Sequence, residues 1–166
     1  MYKIGIGYDS HGFEKNKPFI LGGINFEKNY GLKGHSDGDA LIHSIIDAIL
    51  GASNLGDIGK HFPDTDKKYK NISSLILLKK IYNKIKKDYE IINIDNVIIT
   101  EKPKLTPYIE RMKKKISTVL NIESNSISIK AKSNENMGFI GRGEGLAVIS
   151  NILLRRMNEN SNLWWW

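Results

Sequence analysis

Hydrophobic and polar positions alternate from Tyr2 to Tyr8, the period of a β-strand. Phe19-Ile20-Leu21 and Ile24-Asn25-Phe26 flank Gly22-Gly23, a pair that supplies the positive φ of a tight turn, so a hairpin is expected there. The spacing then changes to that of a helix. Leu41, Ile45, Ala48 and Ile49 mark the apolar stripe of a helix from about Gly38 to Ala52, with Asp37 or Ser36 as its cap. A second helix is predicted from Ser73 or Ser74 to Lys87, buried through Leu75, Leu78, Ile81 and Ile85. A third runs from about Thr106 to Leu120, with Pro107 tolerated in its first turn. Strands are predicted over Asn93–Thr100, Ser126–Ala131 and Leu146–Leu154, with loops over Asp57–Asp66 and Ser133–Glu144. This alternation predicts one α/β (α+β) domain over 1–157, a mixed sheet with helices on one face. Residues 158–166 hold all three tryptophans and read as a tail without a functional role.

Composition narrows the function. A chain of 166 residues with 40% hydrophobic content suits one globular core. No apolar run approaches the ~20 residues needed to span a membrane, and the strand pattern that begins at Tyr2 leaves no visible signal or transit peptide. The absence of cysteine excludes disulfides, thiolate metal sites and cysteine nucleophiles. The net charge of +7 is concentrated in Lys79–Lys87 and Lys102–Lys115, which read as solvated helix faces. Only Tyr82 and Tyr108 fall among these lysines, not the interleaved aromatics a stacking platform requires, so nucleic acid is not the expected partner.

Candidate chemistry begins at Asp9 and His11. Residues two apart on a strand share a side, so both can reach one ion. His43, on the first helix, can supply a third ligand, and Asp47 one turn on can receive the other N–H of His43 or of His11. Two nitrogens and one oxygen without thiolate suit a catalytic zinc with an open fourth position; a capped turn beside an ordinary histidine is the plainer reading. Glu135 is a candidate oxygen ligand for magnesium or an exposed loop glutamate. Asp57-Ile58-Gly59 and Phe62-Pro63-Asp64-Thr65-Asp66 are turn residues that can also hold substrate hydroxyls or a second cation. Gly138 to Gly145 lacks the G-x-G-x-x-G fingerprint of a dinucleotide fold, and Arg142 within it is either a phosphate fork or a partner of Glu144.

In order and spacing, these strings resemble the 2-C-methyl-D-erythritol 2,4-cyclodiphosphate synthase family of non-mevalonate isoprenoid synthesis. The matching text is Gly7-Tyr8-Asp9-Ser10-His11, Leu21-Gly22-Gly23, His35-Ser36-Asp37-Gly38-Asp39, Leu55 to Gly59 with Phe62 to Asp66, and Lys130 through Glu135 to Gly145. The resemblance implies a phosphorus–oxygen lyase that closes a cytidine diphosphate substrate into a cyclic diphosphate and releases CMP. It implies zinc, one per subunit, on Asp9, His11 and His43, and magnesium (or manganese) on Glu135. His35 and Ser133 become catalytic hydrogen-bond donors. Ser36, Asp57, Gly59, Phe62, Asp64 and Asp66 become the methylerythritol phosphate pocket. Thr100, Lys104, Leu105 and Thr106 become the cytidine pocket, with Lys132 near a phosphate. It further implies a homotrimer with sites shared between neighbours, and Phe139 and Arg142 at the mouth of a central cavity that can take an isoprenoid diphosphate. The implied compartment is bacterial cytoplasm, or a plastid (apicoplast or chloroplast) after removal of a transit peptide. Two departures stand out: Lys132-Ser133-Asn134 replaces a run of threonines, and Thr106 replaces an apolar residue. The reading the residues themselves leave beside this one is a zinc-dependent phosphohydrolase.

Overall fold

The computed structural model describes residues 1–26 and 28–157. The tail at 158–166, with its tryptophans, lies outside the described residues. Strand β1 (Tyr2–Lys15) is followed by β2 (Ile20–Leu21), β3 (Ile24–Asn25) and β4 (Tyr30–Leu32), then α1 (Ala40–Ala52), α2 (Ile58–His61) and α3 (Ser74–Ile85). The chain continues through β5 (Tyr89–Ile99), α4 (Ile109–Leu120), β6 (Ile127–Lys132), α5 (Gly138–Gly141) and β7 (Gly145–Arg156). Among the described residues the main sheet runs β4-β1-β7-β5-β6, and β2 pairs with β3 in the expected hairpin. Pairing is antiparallel except between β5 and β6, which α4 joins as a parallel crossover. The architecture is thus the mixed α/β sheet anticipated, with one face under the helices.

How α1 meets β1 decides where the chemistry sits. Gly5 and Gly7 lie on the helix side of β1, where an added Cβ would fall 1.9 Å from the carbonyl oxygens of Ala48 and Ser44 respectively. Backbone therefore packs on backbone, the close approach that glycine inside a strand permits. Two strand residues rise ~6.6 Å and four helical residues ~6.0 Å, so the two glycines keep pace with Ser44 and Ala48. Asp9 and His11 continue the same face of β1 and emerge under the first turn of α1. A buried polar chain fixes the packing further. The hydroxyls of Ser44 and Ser150 lie 2.6 Å apart, Ser150 donates to Asn96 Oδ1 at 2.6 Å, and Asn96 Nδ2 donates to the Ser128 carbonyl at 2.8 Å. It runs from α1 through β7 and β5 to β6.

Several expectations change. Strand β1 reaches Lys15, because its pairing with β7 extends to Gly12 and β4 then takes over from Phe13, so Asp9 and His11 stand mid-strand. The cap of α1 is Asp39, not Asp37 or Ser36; its Oδ1 accepts from Ile42 N at 3.1 Å. Asp39 is fully buried and also accepts from Gly22 N at 2.9 Å and Gly23 N at 2.7 Å, tying the hairpin turn to the helix. Burial, with the charge of Asp37 adding, pushes its carboxyl up to about 6 against those three donors. In α3 the buried apolar positions are Leu77, Leu78, Ile81 and Ile85, while Leu75 is half-buried against the hairpin. The lysines of α3 and α4 lie on solvated faces as expected.

Asp39 yields a stability prediction. Asp39→Asn places an amide N–H₂ opposite a backbone donor and leaves a buried N–H without an acceptor. The expected loss is about 2 kcal/mol in urea unfolding. A midpoint unchanged from the parent protein would contradict the role given to this carboxylate.

Candidate active site

Three ligand atoms converge where β1 passes beneath α1. Asp9 Oδ2 lies 2.9 Å from His11 Nε2 and 3.0 Å from His43 Nδ1, and the two nitrogens are 3.3 Å apart. A tetrahedral ion with bonds of ~2.0–2.1 Å needs ligand edges of roughly 3.3–3.4 Å. The triangle is close to that size, slightly tight at Asp9. All three side chains are partly exposed, so an ion held here would keep a face toward solvent. Burial raises the Asp9 carboxyl, but hydrogen bonds and charge from His11 and His43 outweigh it and hold the group down to about 2. Burial lowers His43, and the Asp9 hydrogen bond and charge, with Asp39 and Asp37 behind, raise it overall.

The outer side of His43 is not where the sequence placed it. Asp47 does not touch either imidazole; its Oδ1 accepts from Ile58 N at 2.7 Å and anchors α2. His43 Nε2 instead meets Ser74 Oγ at 2.8 Å and Ser36 Oγ at 3.0 Å. Ser74, at the start of α3, has no counterpart in any metal-binding string, and a spacing of 31 residues offers no local signal.

A cavity of about 370 Å³ opens beside the triad. His11, His35, Ser36, His43, Gly59, Phe62 and Asp64 line it, together with Ile58, Tyr69 and Leu77. Five residues named from sequence beyond the ligands are therefore brought to one place: His35, Ser36, Gly59, Phe62 and Asp64. Asp57 and Asp66 do not line it. Asp57 caps α2 by accepting from Lys60 N at 2.9 Å, and Asp66 accepts from Lys68 N at 3.1 Å. Both shape the loop that carries Phe62 and Asp64.

A second group forms at the ends of β5 and β6. Thr100 N donates to the Lys132 carbonyl at 2.9 Å, and Thr100 Oγ1 donates to the Lys102 carbonyl at 2.7 Å. The Lys102–Pro103 peptide is cis, Leu105 is buried, and Lys104 and Thr106 are exposed. Ser133 donates to the Glu135 carboxylate. Glu135 adopts φ 51° and Asn136 φ 60°, a left-handed backbone uncommon outside glycine. Glu101 holds it: Oε1 accepts from Asn134 N at 3.0 Å and Asn136 N at 3.2 Å, on either side of Glu135. Sequence reasoning passed over Glu101 because an isolated glutamate at the end of a strand carries no pattern. Arg142 makes a bidentate pair with Glu144, at 2.6 and 3.2 Å, the partner that one of its two readings named. Phe139 is exposed on α5. None of these residues lines the cavity at the triad.

A match to the family described as YgbB spans residues 2–155. The chain is 55% identical over 155 residues to the 2-C-methyl-D-erythritol 2,4-cyclodiphosphate synthase of Brachyspira hyodysenteriae, covering 93% of this chain and 98% of that protein. The chain belongs to the YgbB family. The synthase of Clostridium acetobutylicum is 56% identical over 153 residues, covering 92% of this chain and 99% of that enzyme. Among solved structures, the bifunctional IspDF of Campylobacter jejuni superposes with a TM-score of 0.91 at 44% identity. That match covers 95% of this chain and 43% of the bifunctional protein. The IspF–CDP complex of Plasmodium falciparum gives a TM-score of 0.82 at 39% identity, covering 95% of this chain and 97% of that one. The resemblance read from sequence is thereby established across nearly the whole YgbB chain.

Proposed function

We infer that this chain is a cyclodiphosphate-forming lyase of isoprenoid synthesis. It converts 4-diphosphocytidyl-2-C-methyl-D-erythritol 2-phosphate to 2-C-methyl-D-erythritol 2,4-cyclodiphosphate and CMP. The observation that carries this reading is the Asp9–His11–His43 triangle opening on a cavity, in a chain at least half identical to synthases of that name. A 2-phosphate oxygen attacks the β-phosphorus, the bond to the α-phosphate oxygen breaks, and CMP departs. No water enters the products.

Asp9, His11 and His43 are the residues that would hold zinc, and Glu135 would help hold magnesium or manganese. Such ions supply charge neutralisation on the transferring phosphoryl group. The chain supplies the rest. Ser36, Gly59, Phe62 and Asp64 wall the cavity that folds the methylerythritol phosphate back on itself, a proximity effect. Asp57 and Asp66 act by shaping that wall. His35 and Ser133 donate hydrogen bonds to the charge that develops in the transition state. Thr100, Lys104, Leu105 and Thr106 form the cytidine end, with Lys132 beside a phosphate.

The separation of these two groups within one protomer supports a homotrimer whose sites lie between neighbours. So does the outer face of β1, where Tyr2, Ile4, Ile6 and Tyr8 form an exposed stripe and Ile4 is 77% exposed. A monomer rarely leaves so much contiguous apolar surface uncovered. Phe139 and Arg142 sit at the mouth of the central cavity, which accommodates an isoprenoid diphosphate. Ile6→Lys is expected to dissociate the trimer in sedimentation analysis and to cost activity with it. A monomeric parent protein would contradict the shared site.

Running the reaction in ¹⁸O-labelled water tests the chemistry. Mass spectrometry should find no label in CMP or in the cyclic product. Labelled monophosphate would mean hydrolysis and defeat the assignment.

The raised His43 pKa gives a pH prediction. Its folded value is raised above the ordinary 6.5, so protons compete with the metal for Nδ1. Zinc affinity should be level above that raised value and fall about tenfold per pH unit below it. Chelator competition between pH 5 and 8 measures this. An affinity independent of pH across that range would contradict His43 as a ligand.

A further inference from the structure

We propose that Ser74 and Asp37 are positioning residues that lock the His43 ring with Nδ1 toward the metal. The proposal rests on the reading of Asp9, His11 and His43 as a metal site. His43 Nε2 and Ser74 Oγ are 2.8 Å apart, and Ser74 is fully buried. Ser74 Oγ donates in turn to Asp37 Oδ1, while Asp37 Oδ2 accepts from Ser74 N at 2.9 Å. The carboxylate thus grips one residue by both its hydroxyl and its backbone.

Proton placement follows from chemistry. A ligating Nδ1 must carry no proton, so the imidazole proton sits on Nε2. That N–H donates to Ser74 Oγ, and Ser74 sends its own proton to Asp37. The hydroxyl accepts once and donates once, and both directions are set because a carboxylate can only accept. Ser36 Oγ, at 3.0 Å, is the more distant neighbour and is partly exposed on the cavity wall. A chain ending in a carboxylate raises the basicity of the ligand and fixes its tautomer, and such partners are commonly worth 10–100-fold in metal affinity. The chain also explains why the start of α3 lies against the loop of His35-Ser36-Asp37. Ser73, the formal cap of α3, makes no side-chain bond there, and Asp37 takes over that role from outside the helix.

Ser74→Ala removes the hydroxyl and leaves the backbone N–H to Asp37, so the end of α3 stays capped. Zinc affinity would be measured by chelator competition on the full chain, with the melting temperature of the metal-free protein alongside. We expect Ser74→Ala to weaken zinc by roughly 10–100-fold while that melting temperature is maintained. Ser74→Thr, which keeps the hydroxyl, should restore at least most of the affinity. Asp37→Asn should weaken zinc too, and its effect should shrink when Ser74 is already alanine, because the two act through one path. Zinc affinity in Ser74→Ala within about threefold of the parent, or fully additive losses in the double variant, would overturn the proposal. If the parent protein binds no zinc, the metal reading itself fails and the relay falls with it.

Discussion

His43→Ala should leave a folded protein that no longer retains zinc and turns over at least about 1,000-fold more slowly. His43 is the one ligand of the three that comes from a helix, and it closes the triangle across from Asp9 at 3.0 Å. Removing it leaves a carboxylate and one imidazole, too few for a catalytic zinc site, which ordinarily uses three protein ligands. A loss of 1,000-fold corresponds to about 4 kcal/mol of transition-state stabilisation, in the range a metal supplies to a phosphoryl transfer. The apolar stripe of α1 does not include His43, so the far-ultraviolet circular dichroism should stay close to the parent. Metal content by elemental analysis and CMP release measure the two effects. A variant that keeps one zinc per chain, or more than a tenth of the parent rate, would contradict the assignment.

Gly7→Val is expected to cost at least about 4 kcal/mol, a size confined to a few mechanisms. The Cβ would sit 1.9 Å from Ser44 O and 2.8 Å from Ala48 N, both backbone atoms of a buried helix. Neither can yield unless α1 lifts from β1. Lifting α1 strips its core contacts and withdraws His43 from Asp9 and His11, so the metal site and the fold should fail together. A chain of this size should lose about 10 °C or more in melting temperature. Gly12→Ala on the same strand is the control. Its Cβ would meet Glu144 O at 3.6 Å, an ordinary contact, and stability should change by less than about 1 kcal/mol. A Gly7→Val melting temperature within about 3 °C of the parent would show that the close approach of α1 is not required.

What the sequence reveals follows from the range of each interaction. Asp9 and His11 are legible because strand alternation is local, and Gly22-Gly23 because a two-residue turn needs positive φ within itself. The apolar stripe of α1 is legible for the same reason. Its cap is not: Asp37, Asp39 and Ser36 are all good caps, and the choice of Asp39 depends on the hairpin N–H groups it also satisfies. Asp47 stood one turn from His43, yet α2 claims its carboxylate, while Ser74 reaches His43 across 31 residues. The short elements β4, α2 and α5 escape periodicity because three or four residues hold less than one full pattern. The roles of His35 and Ser133 came from family resemblance, since no local spacing joins β1 to the ends of β5 and β6.

Phosphorus-31 NMR of the protein with 4-diphosphocytidyl-2-C-methyl-D-erythritol 2-phosphate and magnesium, before and after zinc is stripped, tests the account most directly. We expect the cyclic diphosphate and CMP to appear together, to vanish on stripping, and to return when zinc is restored. Inorganic phosphate, an unchanged substrate, or cyclisation that continues at full rate without zinc would contradict it.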